Sequence, residues 1–134
     1  MKQYLLDTNI VAFLFRGKYG VKERLESIGY ENCHISIITY AELRYGCECS
    51  NNFQKSVAVL DAFCQMIDVV GIDLEIVNLF AEKKAQLRKK GTTVDDFDLL
   101  IGSTAICKNM TVVTENLKHL GRIESISIEN WINR

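Results

Sequence analysis

Proline is absent from the 134 residues of the chain, and no stretch is rich in glycine or serine. Nothing therefore marks a linker, and residues 1–134 read as a single domain around one core. Long apolar runs are missing too. None approaches the roughly 20 residues that cross a bilayer. Asp7 follows so soon after Lys2 that the N-terminus does not read as a secretory signal, so a cytoplasmic protein with no membrane partner is expected. Neither sign of charge is in excess: 16 basic against 17 acidic residues give a formal net charge of −1. That balance excludes a surface held to phosphate mainly by its overall charge, so any grip on nucleic acid needs a local groove, a metal or a partner. Histidine is scarce, with His34 and His119 alone, and no Cys-x-x-Cys pair occurs among the five cysteines. Cys47-Glu48-Cys49 has the wrong spacing for a zinc knuckle and no histidine nearby. Cys33, Cys47, Cys49, Cys64 and Cys107 read as idle thiols in a reducing compartment.

What is present is an alternation of short apolar runs with helical patterns. Tyr4–Leu6, Ile35–Ile38, Met66–Val70, Thr111–Val113 and Ile126–Ile128 read as buried strands. Between them, Ile10–Phe15 reads as a short helix, and Val21, Leu25 and Ile28 fall at helical spacing. So do the residues from about Ala41 to Tyr45, and Val57, Leu60 and Phe63. The longest pattern runs from Asp73, a suitable N-cap, to Lys90 before Gly91. It sets Ile76, Val77, Phe80, Lys84 and Leu87 on one side. A final helix spans about Asp96 to Lys108. The expectation is an α/β fold with a mostly parallel sheet covered on both faces.

Three acids hold comparable places in this pattern. Asp7 ends the first strand, Glu42 lies just past the second, and Asp98 sits in the first turn of the helix that feeds the fourth. A helix feeding a parallel strand starts at the sheet's C-terminal edge, where open α/β sheets bind ligands. The fourth strand runs out at Thr114-Glu115-Asn116, which brings Asn116 to the same edge. Each acid alone also reads as a helix cap. Thr39-x-x-Glu42 has the capping-box pattern, Asp95 with Asp98 has the same spacing, and Asp7, Thr8 or Asn9 could each cap the first helix. As a set, three converging carboxylates repel unless protons or a cation sit among them. All-oxygen ligands favour Mg²⁺ or Mn²⁺ over zinc.

Leu5-Leu6-Asp7-Thr8-Asn9, Ile37 to Gly46, Asp95 to Ile101, Val112 to Asn116 and Ile128-Glu129-Asn130-Trp131 follow one another in order. This set resembles the PIN-domain proteins, and among them the VapC toxins of bacterial type II toxin–antitoxin pairs. The resemblance implies a three-layer α/β/α fold with about five strands and a metal-dependent endoribonuclease that cleaves RNA, tRNA included, by metal-activated water. It implies Asp7, Glu42 and Asp98 as metal-binding catalytic acids with Mg²⁺ or Mn²⁺, and Asn116 at a fourth catalytic position where many PIN domains carry Asp. There Asn116, an amide and so a weaker ligand than a carboxylate, is expected to hold water or substrate, or to bind a second metal only weakly. It also implies a homodimer, and a cognate small VapB-like antitoxin that fills the acidic groove. Thr8 and Thr114 are expected to orient the acids; either Asp95 or Asp96 is expected to cap the helix, and Asp95 could assist the metal site.

RNA approaching an acidic pocket needs a basic rim. Arg44, Lys118 and Arg122 are the candidates for substrate binding, with Arg16, Lys18, His119 and the Arg88-Lys89-Lys90 cluster behind them. His34 reads as a structural histidine, and Phe13, Phe15, Phe63 and Phe80 as core packing. Two other functions fit parts of the pattern. A haloacid-dehalogenase-like phosphatase would use Asp7 as nucleophile, although Asn9 stands where its second Asp belongs. A non-catalytic module would use the acidic pocket only to dock a basic peptide.

Overall fold

The computed structural model describes residues 1–132. β1 (Tyr4–Leu6) is followed by α1 (Thr8–Phe15) and α2 (Val21–Ile28). A 3-10 turn at Tyr30–Asn32 leads into β2 (Cys33–Ser36), then α3 (Ile37–Glu48) and α4 (Phe53–Met66). β3 (Asp68–Val70) precedes α5 (Leu74–Lys89) and α6 (Asp96–Cys107). β4 (Thr111–Val113), the single turn α7 (Leu117–Leu120) and β5 (Ile128–Glu129) follow.

The five strands form one all-parallel sheet in the order β3-β2-β1-β4-β5. Successive strand residues point to opposite faces, and the pairs Leu5/Leu6 and Val112/Val113 divide accordingly. Leu6 and Val113 pack with Ile10, Val11, Leu25 and Phe63 from α1, α2 and α4. Leu5 and Val112 pack with Leu87, Leu99, Ala105 and Leu120 from α5, α6 and α7. Two apolar layers on either side of a buried sheet make the three-layer α/β/α architecture that the alternation implied.

Strand order fixes the position of the site. The chain leaves β1 toward β2 and β3 on one side, then returns to lay β4 on the other side of β1. The reversal opens a crevice at the C-terminal ends of β1 and β4. Their register is Leu6 against Val113, and the Asp7 N–H donates to the Val113 carbonyl at 2.9 Å. Asp7 and Thr114 thus emerge side by side.

Several boundaries differ from the sequence reading, each for a local reason. The second strand ends at Ser36 rather than Ile38, because Ser36 Oγ accepts the Ile38 N–H and caps α3. Ile37 is consequently 40% exposed instead of buried in the sheet. The third strand starts at Asp68, since Met66 belongs to α4, and the last is Ile128–Glu129 rather than Ile126–Ile128. On α5 the expected inner face narrows. Ile76 and Leu87 are buried, but Val77 is exposed and Lys84 turns outward to pair with Asp96 at 2.9 Å. Phe15 is 38% exposed, held edge-on against Phe63 instead of in the core.

Other expectations hold. Asp73 caps α5 through the Ile76 N–H. His34 is satisfied at both ring nitrogens, by Asp68 and Gln3. The five cysteines are free thiols, and burial pushes Cys33 up to about 11. No described helix is long and apolar enough to cross a membrane.

Candidate active site

Asp7 is a cap and more than a cap. Oδ1 accepts the Thr8 N–H at 2.8 Å, starting α1, while Oδ2 accepts the Thr114 hydroxyl at 2.8 Å from the end of β4. The residue is 5% exposed, so both bonds lie in a nearly dry setting that gives them weight.

Glu42 is not engaged in a capping box. Ser36 is the N-cap, so Thr39 and Glu42 lie one and two turns into α3. Glu42 Oε1 instead accepts the Thr8 hydroxyl at 2.6 Å. Thr39, fully buried, holds its own hydroxyl 3.3 Å from that of Thr8. The α3 face that carries Thr39 and Glu42 is therefore turned toward the end of β1.

Asp98 enters from α6. Asp95 is the true cap of that helix, accepting the Phe97 N–H at 3.2 Å, which leaves the Asp98 carboxylate for another partner. Asp98 Oδ2 accepts from Asn116 Nδ2 at 3.2 Å. Burial pushes the Asp98 carboxyl up to about 6, and the charges of Asp7, Asp95 and Glu42 push the same way, against His119. The acids from β1, α3 and α6 thus act on one another across the crevice.

Asn116 is bonded from three of its atoms. Its backbone N–H donates to Thr114 Oγ1 at 2.8 Å, its amide nitrogen faces Asp98, and its amide oxygen lies 2.7 Å from His119 Nδ1. The amide thus ties Asp98 in place while its oxygen keeps a second lone pair toward the crevice.

Thr39 and His119 lie in this network, although the sequence placed Thr39 in a capping box with Glu42 and His119 only among the basic residues of the rim. Their signal was helical spacing: Thr39 and Glu42, like Asn116 and His119, are three residues apart and share a helix face.

The donors suit a hard cation in kind, since they are carboxylates with no sulfur or imidazole among them. The mutual repulsion that raises Asp98 is also what a cation would relieve. Among the described residues, however, no three His, Cys, Asp or Glu side chains are grouped closely enough to hold a metal ion. The acids share a crevice without being drawn around a single point.

The basic candidates separate. Arg44 is paired with Glu48 one turn along α3 and stacks over Phe53, which occupies it. Arg122 donates to the Thr93 carbonyl at 2.9 Å and so ties down the loop before Asp95. Lys118 is exposed on α7 between Asn116 and His119.

The PIN domain family matches residues 4–124. Ribonuclease VapC2 of Rickettsia felis is 33% identical over 130 residues, which cover 96% of this chain and 97% of that protein. The tRNA(fMet)-specific endonuclease VapC of Salmonella typhimurium is 34% identical over 132 residues, covering 98% and 99%. Among solved structures, DNA-bound VapBC from Salmonella typhimurium matches with a TM-score of 0.90 at 32% identity, over 98% of this chain and 99% of the other. The chain belongs to the PIN-domain family, in the branch of the VapC proteins. That membership removes the haloacid-dehalogenase-like reading of Asp7.

Proposed function

We propose that this protein is a divalent-metal-dependent endoribonuclease and the toxin of a type II toxin–antitoxin pair. One observation carries the reading. Residues from the ends of β1 and β4 and the starts of α3 and α6 form a single hydrogen-bonded set around Asp7, Glu42 and Asp98. Helix capping alone does not require Thr114 to bond Asp7 or Asn116 to bond Asp98. RNA is the substrate class, with tRNA favoured by the name of the Salmonella typhimurium relative.

Asp7, Glu42 and Asp98 are the residues that would hold Mg²⁺ or Mn²⁺. Such a cation, when bound, polarises the phosphate and lowers the pKa of a water for in-line attack. Thr114 fixes Oδ2 of Asp7, Thr8 fixes Oε1 of Glu42, and Asn116 fixes Oδ2 of Asp98, so each carboxylate meets its task in one orientation. Asp7, buried and bonded at both oxygens, is poorly disposed to act as a nucleophile, which favours direct attack by water without a covalent intermediate. A VapB-like antitoxin would silence the pocket by setting a cation of its own against the acids, and the working protein would be a homodimer.

The test uses protein freed of any co-purifying antitoxin and a pool of total tRNA with Mg²⁺ or Mn²⁺. Cleavage is expected, lost with chelator and lost in Asp7→Asn at unchanged circular dichroism. An Asp7→Asn protein of full activity overturns the reading. Metal-independent binding of a basic peptide without RNA turnover favours the docking module instead.

A further inference from the structure

The Asn116 amide bonds in two directions at once: Nδ2 to Asp98 Oδ2 at 3.2 Å, and Oδ1 to His119 Nδ1 at 2.7 Å. An amide oxygen only accepts, so the hydrogen in the second bond belongs to His119 Nδ1. The ring is therefore an Nδ1–H tautomer or an imidazolium, and it donates in both states. The backbone on either side of Asn116 is already fixed by its own N–H bond to Thr114, leaving the side-chain torsions to decide which end of the amide meets Asp98. A half-turn about the last torsion would set the amide oxygen against the carboxylate, two acceptors facing each other.

We propose that His119 is a positioning residue for the nuclease reaction, acting through Asn116 to keep an amide N–H on Asp98 Oδ2. The inference rests on the reading of the crevice as a nuclease site. With Oδ2 held in this way, the Asp98 carboxylate is kept in one orientation. His119 itself is exposed and contributes little to the core. Its removal should therefore alter the site without unfolding the protein. The spacing fits the role, because His119 follows the N-cap Asn116 by three residues, about one helical turn, which lets the imidazole reach its side chain.

His119→Leu and His119→Asn form the test. Leucine keeps bulk and removes the donor, whereas the asparagine amide nitrogen takes nearly the place of Nδ1. The leucine variant is expected to lose about 10-fold in kcat with KM within about twofold, and the asparagine variant to recover most of that loss. In wild-type protein at alkaline pH, ring ¹⁵N shifts of His119 should report Nδ1–H, the tautomer that free histidine disfavours. The Asn116 side-chain NH₂ resonances should move in the leucine variant and return in the asparagine one. A leucine variant with wild-type kcat overturns the inference, as does an asparagine variant no better than leucine. Wild-type protein that cleaves no RNA sinks the nuclease reading instead. The ring shifts then still decide, because an Nε2–H tautomer overturns the lock by itself.

Discussion

The Thr8 hydroxyl donates to Glu42 Oε1 at 2.6 Å, tying the first residue of α1 to the second turn of α3. Its neighbour Asp7 reaches the other way, to Thr114. One dipeptide at the sheet edge therefore orients partners on both sides of the crevice. Thr8→Val keeps shape and removes the donor. It should lower RNA cleavage about 10-fold, as loss of an outer orienting group does, while Thr8→Ser retains most of the rate. Single-turnover cleavage of a tRNA substrate checks both. Equal rates in the valine and wild-type proteins would remove Thr8 from the site.

The crowding of Asp98 makes stability depend on pH. Its carboxyl is raised to about 6 from 3.8 by burial and by Asp7, Asp95 and Glu42, so the folded protein binds that proton more tightly than the unfolded chain. For an acid shifted upward, the folded state is favoured below the unfolded value, and the advantage is lost as pH climbs to the folded one. Metal-free protein should accordingly lose stability between about pH 4 and pH 6. The loss is about 1 kcal/mol once solvent screening of this half-exposed group is allowed for. Asp98→Asn should flatten the profile. Mn²⁺ should raise the melting temperature more at pH 7 than at pH 5, because the cation competes with the proton. Thermal melts across that range, with and without Mn²⁺, decide it.

Asp95 separates two roles that sequence alone left merged. Its carboxylate caps α6 through the Phe97 N–H, and its charge adds to the field on Asp98. Asp95→Asn preserves a capping acceptor and removes the charge. It should fold with wild-type stability and bring the Asp98 carboxyl down toward its ordinary range. Asp95→Ala removes both and should cost about 1 kcal/mol. Chemical denaturation together with an NMR titration of Asp98 distinguishes them, and an asparagine variant as unstable as alanine would refute the cap.

The parts of this fold that follow local rules were legible. Alternating runs such as Leu5-Leu6 and Val112-Val113 announced a buried parallel sheet, and Asp73 announced its helix. Where two local signals competed, the reading slipped. Ile37-Ile38 looked like strand because both residues are β-branched, yet Ser36 had already capped α3. The acids were legible as a shared edge once Asp7 and Asn116 were set at the ends of neighbouring strands. Their partners were less so. That Glu42 serves Thr8 rather than its own helix start depends on the rotation of α3 against β1, which long-range packing decides. The turn of the Asn116 amide depends on His119, whose imidazole could as well have faced solvent.

The rim of the site yields the last prediction. Arg44, Lys118 and Arg122 all stood as phosphate contacts, but a cation already engaged has less to give a substrate. Arg44 is paired with Glu48 and stacked on Phe53, and Arg122 is spent on the Thr93 carbonyl. Among the described residues the Lys118 side chain has no hydrogen-bond or ion-pair partner, and it is exposed on α7 two residues after Asn116, which bonds Asp98. Lys118→Ala should therefore raise KM for RNA several-fold with kcat nearly unchanged, and lower the slope of log affinity against log salt by about 1. Arg44→Ala should leave KM within about twofold, since exposed pairs of its kind contribute little. Arg122→Ala should act through the 91–95 loop, disturbing Asp95 and hence kcat more than KM. Steady-state kinetics at three salt concentrations test all three residues together. A salt slope changed by Arg44→Ala and untouched by Lys118→Ala would place the RNA along α3 instead of α7.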